Sequence, residues 1–151
     1  MSSYYDNELI SYLDIIDIRD FKIVSQTNSI VALMMKNFCF KYGRAYLKGS
    51  KNERYIRSNS NDVSSDTVLF LNELIQKNIC NENEKVIYIG DDLTEYGYEF
   101  YLYDLLKIIP YLLNDIPQHH YFLFGAATKL LYISFENEIQ FGMQWEGSEQ
   151  L

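Results

Sequence analysis

Apolar residues recur at helical spacing in several stretches of the chain and at strand spacing in its last third. Leu9, Ile10, Leu13 and Ile16 share one face of a helix expected over 7–16, which Asp6 is placed to cap because its carboxylate can accept from the open amides of the first turn. The short apolar run from Phe21 to Val24, bounded by polar residues, reads as a strand. Ile30, Val31, Met34, Met35, Phe38 and Cys39 make a helical stripe over 30–40, although a buried strand fits the same run and the pattern leaves helix or strand open. Residues 43–62, with their glycines, serines and asparagines, have loop composition. Val68, Leu71, Leu74, Ile75 and Ile79 then predict a helix over 65–80, with Ser64, Ser65 and Asp66 as cap candidates.

After a turn at 81–84, Val86 to Ile89 is strongly β-prone and is expected to be a central strand, released by Gly90 into the segment DDLTEYGYEFYLYD. Asp104 is positioned to cap a helix carrying Leu105, Ile108, Ile109, Leu112 and Leu113, which Pro110 should kink or delay. Beyond Pro117 the period becomes two. Strands are expected at 120–124, 130–135 and 139–145, the last alternating Ile139, Phe141, Met143 and Trp145 with Gln140, Gly142 and Gln144. The pattern as a whole predicts one α+β domain over 1–151, an antiparallel sheet ending in a C-terminal meander with helices packed on one face.

Composition adds bounds. With 151 residues, 48% hydrophobic and 16% aromatic, the chain has ample core material. The start has no basic region followed by an apolar leader, and no segment is apolar for a membrane-spanning length, so a cytoplasmic protein without membrane contact is expected. Cys39 and Cys80 lie in apolar patterns without metal-ligand spacing and are expected to be reduced core thiols.

Charge is divided unevenly. The net charge is −8, yet 36–57 holds seven basic residues and one acid; the remainder carries 20 acids against 6 bases. Such a chain repels nucleic-acid phosphates and steers basic proteins onto itself. Tyr42, Tyr46 and Tyr55 in the basic stretch offer stacking faces for RNA, but the acidic remainder argues instead for a solvated loop bridged to the acidic face, and nucleic acid is not expected as a partner.

From Val86 to Leu106 there is no lysine, arginine or histidine. Here Asp91, Asp92, Glu95, Glu99 and Asp104 interleave with Tyr96, Tyr98, Tyr101 and Tyr103. Tyrosine brings wide contact area at modest entropic cost, so these nine residues form the candidate partner-binding surface, with part of the aromatic set expected in the core. The Asp91/Asp92 pair is an alternative divalent-metal or hydrolase site, although its spacing lacks the glycine and final glutamate of a calcium loop; no cofactor is expected. His119 and His120 are adjacent before a strand, so their side chains point to opposite faces and cannot easily share one metal or proton. No nucleophile motif or phosphate-binding glycine loop accompanies them, and a non-enzymatic binding protein, or a regulatory adaptor, is the expected class.

The C-terminal run QHHYFLFGAATKLLYISFENEIQFG, with Ile133-Ser134-Phe135-Glu136 leading to Phe141-Gly142 after a leucine-rich helix and an acid-ended strand, resembles the small immunity proteins of bacterial contact-dependent growth inhibition and related polymorphic toxin systems. The resemblance extends over 86–142. It implies a cytoplasmic protein that binds a cognate toxin domain, commonly a nuclease, and blocks its active site or a surface beside it. A substrate-mimicking inhibitor of a basic nuclease should be acidic and offer aromatic anchors, which matches the residues above. The final strand, if left at a sheet edge, offers a second copy a place to pair.

Overall fold

The computed structural model describes residues 3–58 and 62–144. Its elements in chain order are α1 (Tyr4–Ile15), β1 (Phe21–Val24), α2 (Asn28–Asn37), β2 (Phe40–Lys41), β3 (Arg44–Ala45), β4 (Lys51–Arg57), α3 (Val63–Gln76), β5 (Lys85–Gly90), β6 (Gly97–Tyr101), α4 (Leu102–Asp115), β7 (His120–Phe124), β8 (Lys129–Ile133) and β9 (Glu138–Met143). Seven strands form one wholly antiparallel sheet in the order β1-β6-β5-β7-β8-β9-β4, and β2-β3 is a separate hairpin. The class is α+β, as the patterning predicts.

Side-chain alternation in the sheet divides the core in two. Val86, Tyr88, Tyr98, Phe100, Phe122, Phe124, Leu131, Ile133, Ile139 and Phe141 meet Leu9 and Leu13 of α1, Phe70, Leu71 and Leu74 of α3 and Leu105, Ile108, Ile109 and Leu112 of α4. Tyr12 of α1 stacks on Tyr111 of α4 with centroids 4.2 Å apart. On the reverse face, Tyr121, Leu123, Leu130 and Tyr132 pack against Met34 and Phe38 of α2 and Ala45 and Leu47 around the hairpin. Three helices therefore share one face, while α2 and the hairpin cover part of the other. Every residue of β7 and β8 is consequently buried, Lys129 with its ammonium on Glu84 at 2.8 Å and on the Ile79 carbonyl. Residues 30–40 resolve as helix up to Asn37, followed by the first strand of the hairpin.

The structure corrects several sequence expectations. Ser3, not Asp6, caps α1; Asp6 occupies the third helical position and completes a capping box. Asp62 caps α3, which starts earlier than predicted, its carboxylate accepting from the Ser65 amide at 3.1 Å. α4 starts at Leu102, so Asp104 lies in its first turn rather than at its cap, and the helix continues through Pro110. The 43–62 stretch is not all loop, because Lys51–Arg57 forms β4 and pairs with β9. This addition makes β9 an interior strand, so it offers no edge to a second copy. β4 is itself the edge, and its charged residues and the register irregularity between Lys51 and Arg54 are features that disfavour further pairing. β9 ends at Met143; Trp145 lies outside the described residues. Cys80 is buried, whereas Cys39 is exposed rather than a core thiol.

Candidate functional site

The acidic tyrosine segment spans the end of β5, the loop 91–96, β6 and the first turn of α4. Its residues separate into two groups. Asp91, Asp92, Glu95 and Tyr96 lie in the loop, whereas Glu99 lies at the middle of β6 and Tyr101, Tyr103 and Asp104 at or beyond its far end, about 13 Å along the strand from Gly97. Tyr98, between them, points into the helical core and is fully buried, and Asp104 is only 7% exposed. Neither presents its side chain to a partner. Tyr101 and Tyr103 stack with centroids 5.2 Å apart, a pair distinct from the loop.

Two buried side chains hold the loop from beneath. Asp6 accepts from the amides of Ser3 (3.0 Å), Glu95 (2.8 Å) and Tyr96 (3.2 Å) and from the Tyr98 hydroxyl (2.5 Å). Burial pushes the Asp6 carboxyl up, but these hydrogen bonds outweigh it and hold the group below its ordinary value. The Tyr98 phenol is driven strongly up by burial and by its bond to the carboxylate.

Gln118 performs the same service for the first half of the loop. Its Oε1 accepts from the amides of Asp92 (3.2 Å), Leu93 (2.6 Å) and Thr94 (3.4 Å), and its Nε2 donates to the hydroxyls of Tyr88 (2.9 Å) and Thr94 (3.0 Å). Since Tyr88 accepts from Gln118, its own proton is directed at His120 Nδ1, 2.7 Å away. Burial, then the neighbouring His119, push His120 down to about 3, so it is a neutral acceptor. Gly90 makes the arrangement sterically possible: a Cβ there would stand 1.8 Å from Gln118 Nε2. Its role is to admit a side chain, not to supply an unusual backbone angle. The Ser3 hydroxyl closes the set on the Leu93 carbonyl at 2.7 Å.

With its amides turned inward, the loop displays Asp91, Asp92 and Glu95 to solvent. Asp91 Oδ1 accepts from the His119 amide at 3.0 Å, and none of the three carboxylates forms an ion pair among the described residues. The basic stretch that was expected to bridge to this face pairs elsewhere. Arg44 makes a bidentate contact to Glu136 and bonds the Tyr132 hydroxyl, Arg54 reaches Glu73, and Arg57 approaches Glu138. His119 and His120 do face opposite ways: His119 Nδ1 meets the Tyr132 hydroxyl on one side and His120 meets Tyr88 on the other. Among the described residues no group of three or more histidine, cysteine or carboxylate side chains is gathered to hold a metal ion, and none of their helices is long and apolar enough to cross a membrane.

No local sequence pattern marks Asp6, Gln118 or Gly90 as the loop's supports. Asp6 resembled an ordinary helix cap, and the only local signal at Gln118 was a polar residue between Pro117 and a histidine pair. No protein-family model, curated protein or solved structure matches the chain.

Proposed function

We propose that this protein is a cytoplasmic immunity protein that binds and neutralises a cognate toxin domain, a basic nuclease, without catalysing a reaction. The observation that carries the reading is the fixed acidic loop: Asp91, Asp92 and Glu95 stand exposed on a backbone whose amides are held by buried Asp6 and Gln118. Carboxylates on a preformed loop attract a phosphate-binding surface, and their order is established before the partner arrives. The likeness of 86–142 to immunity proteins supplies the class of partner.

The test is co-purification at low salt with the protein encoded beside this one, together with protection of cells that express that protein's toxic domain. A stable complex and restored growth are expected; absence of both would overturn the reading. Reversing Asp91, Asp92 and Glu95 to lysine should slow association and flatten its salt dependence, because the summed charge of the loop steers the encounter. An unchanged association rate would remove these carboxylates from the interface.

A further inference from the structure

Beside the acidic loop lies a groove of about 330 Å³ between α2, the β2-β3 hairpin and the sheet. Val31, Met34, Met35 and Phe40 form apolar walls, Tyr121 contributes an aromatic surface, and Asp91 is the only charged residue among those lining it. Two other surface cavities have a different character. One contains Arg19, Asp20, Lys22, Lys85 and Glu99, and another Lys48, Glu53, Arg54 and Glu138, so in each the charges of both signs are already mixed.

The groove is also surrounded by apolar surface that the fold leaves uncovered. Met35 is 52% exposed, and Tyr42, in the hairpin turn next to Gly43 of the groove lining, is 101% exposed. Tyr42 and Gly43 both have positive φ, 55° and 76°, the pair of left-handed residues that a tight two-residue hairpin needs. Glycine or asparagine is the easier occupant of the first position, yet a tyrosine stands there with its ring in solvent. Methionine walls adapt to the shape of what enters, and an exposed tyrosine supplies area at low entropic cost.

We propose that this groove receives one basic side chain, arginine or lysine, from the surface of the protein partner. The inference rests on the partner-binding reading above and gives that reading a point of insertion. The aliphatic stem lies along Val31, Met34 and Phe40, and the charged head meets Asp91 Oδ2. Asp91 Oδ1 is already held by the His119 amide, which fixes the carboxylate and leaves Oδ2 without a partner among the described residues. Apolar walls ending in one carboxylate match the two halves of such a side chain, and an acidic side chain would meet like charge. Met35, half-exposed in the groove lining, flanks the contact and limits the water that reaches it.

The groove can be tested without the partner by titrating the labelled protein with Nα-acetyl-arginine N-methylamide, the lysine counterpart and the uncharged norleucine counterpart, reading amide chemical shifts. Saturable shifts confined to Met34, Met35, Gly90, Asp91 and Thr94 are expected from the two cations, and much weaker ones from norleucine. Asp91→Asn, which keeps the acceptor for His119, should reduce the cation response to the norleucine level. Equal responses to all three probes, or shifts centred on Asp92 and Glu95, would overturn the assignment.

In the complex with the neighbouring protein, Asp91→Asn and Met35→Arg should each weaken binding by about tenfold or more, chiefly through faster dissociation. Met35→Arg substitutes a half-exposed residue and therefore guards against a folding artefact at Asp91. If the complex forms and both variants bind as wild type, the groove assignment fails while the partner reading stands. If no complex forms but the cation probes bind at Asp91, the choice of partner fails and the basic-side-chain site remains.

Discussion

Replacing Asp6 by asparagine tests whether the loop is held from within. Asp6 Oδ2 accepts from the Ser3 and Glu95 amides, and Oδ1 accepts from the Tyr96 amide and the Tyr98 hydroxyl. Asparagine keeps one acceptor oxygen and places an NH2 group against donors on the other side. If the NH2 replaces Oδ1, the Tyr98 hydroxyl can rotate to accept, but the Tyr96 amide is orphaned. If it replaces Oδ2, two amides are orphaned. The first arrangement is the less costly, at about 1–3 kcal/mol for one buried unsatisfied donor, with roughly 1 kcal/mol more for exchanging charge-assisted bonds for neutral ones. A total of about 2–4 kcal/mol is large beside the ~5–15 kcal/mol stability of an ordinary domain. Urea unfolding at pH 7 measures it, and hydrogen exchange at Glu95 and Tyr96 locates it. Because the folded carboxyl lies below its ordinary value of 3.8, its contribution is present above that pH and disappears as pH falls through the folded value. The gap between wild type and variant should therefore be complete near neutrality and close in acid. A loss below about 0.5 kcal/mol at pH 7, with unchanged protection of both amides, would refute the reasoning.

Gly90→Ala should expel Gln118 from its seat, since the added Cβ would stand 1.8 Å from Nε2, and a drop of several degrees in Tm with new exchange at Asp92, Leu93 and Thr94 is expected. His120, held neutral by burial down to about pH 3, makes the fold acid-sensitive: below 6.5 the unfolded chain gains a proton that the folded one refuses, and stability falls by roughly 1 kcal/mol per pH unit from about pH 6 downward. Urea midpoints between pH 7 and 4.5 should therefore be less steep in pH for His120→Gln, and equal slopes would exclude this histidine as a source. Thiol labelling of the native protein should modify exposed Cys39 rapidly and Cys80 only on unfolding, because Cys80 is buried and its thiol is pushed up to about 11; equal rates would contradict that burial.

The elements legible in the sequence are those in which one face had to be apolar. α3, α4, β5 and β9 follow from spacing, because each buries mainly one stripe or one face, whereas β7 and β8, buried on both faces, are legible as short apolar runs bounded by turns. β4 was illegible for the opposite reason. In KNERYIR at a sheet edge, charged side chains face solvent or, like Arg54, reach across to Glu73 of α3, so no hydrophobic period develops. The stripe on α2 marks it as amphipathic, but a stripe does not say which face of the sheet it covers; that is decided by Tyr121 and Tyr132 on one side of strands whose other side is already occupied. The candidate site was half legible. Its carboxylates can be read in order, whereas Tyr98 turns inward because a carboxylate 92 residues earlier in the chain awaits its hydroxyl.

That long-range pairing also explains why two aspartates of similar setting have opposite fates. Asp6 and Asp91 are both short carboxylates beside open backbone amides, yet Asp6 is completely buried and Asp91 exposed. Asp6 meets three amides and a phenol, enough to offset its loss of water, and it can therefore serve as an internal post for the loop. Asp91 meets the single amide of His119, too few donors to stabilise a buried charge, and it remains at the surface with an oxygen to spare. The loop thus carries its inward-facing hydrogen bonds on neighbours that are not themselves displayed, Asp6 and Gln118, and presents carboxylates that the fold does not consume. Ordering the loop is a cost met during folding, so a cation arriving at Asp91 has little backbone entropy left to remove. If instead the supports were cut, as in Asp6→Asn, the same charges would still attract a basic surface at a distance, and the rate of encounter should change little. What should suffer is the lifetime of the contact, since each bound state would have to order residues 95 and 96 anew.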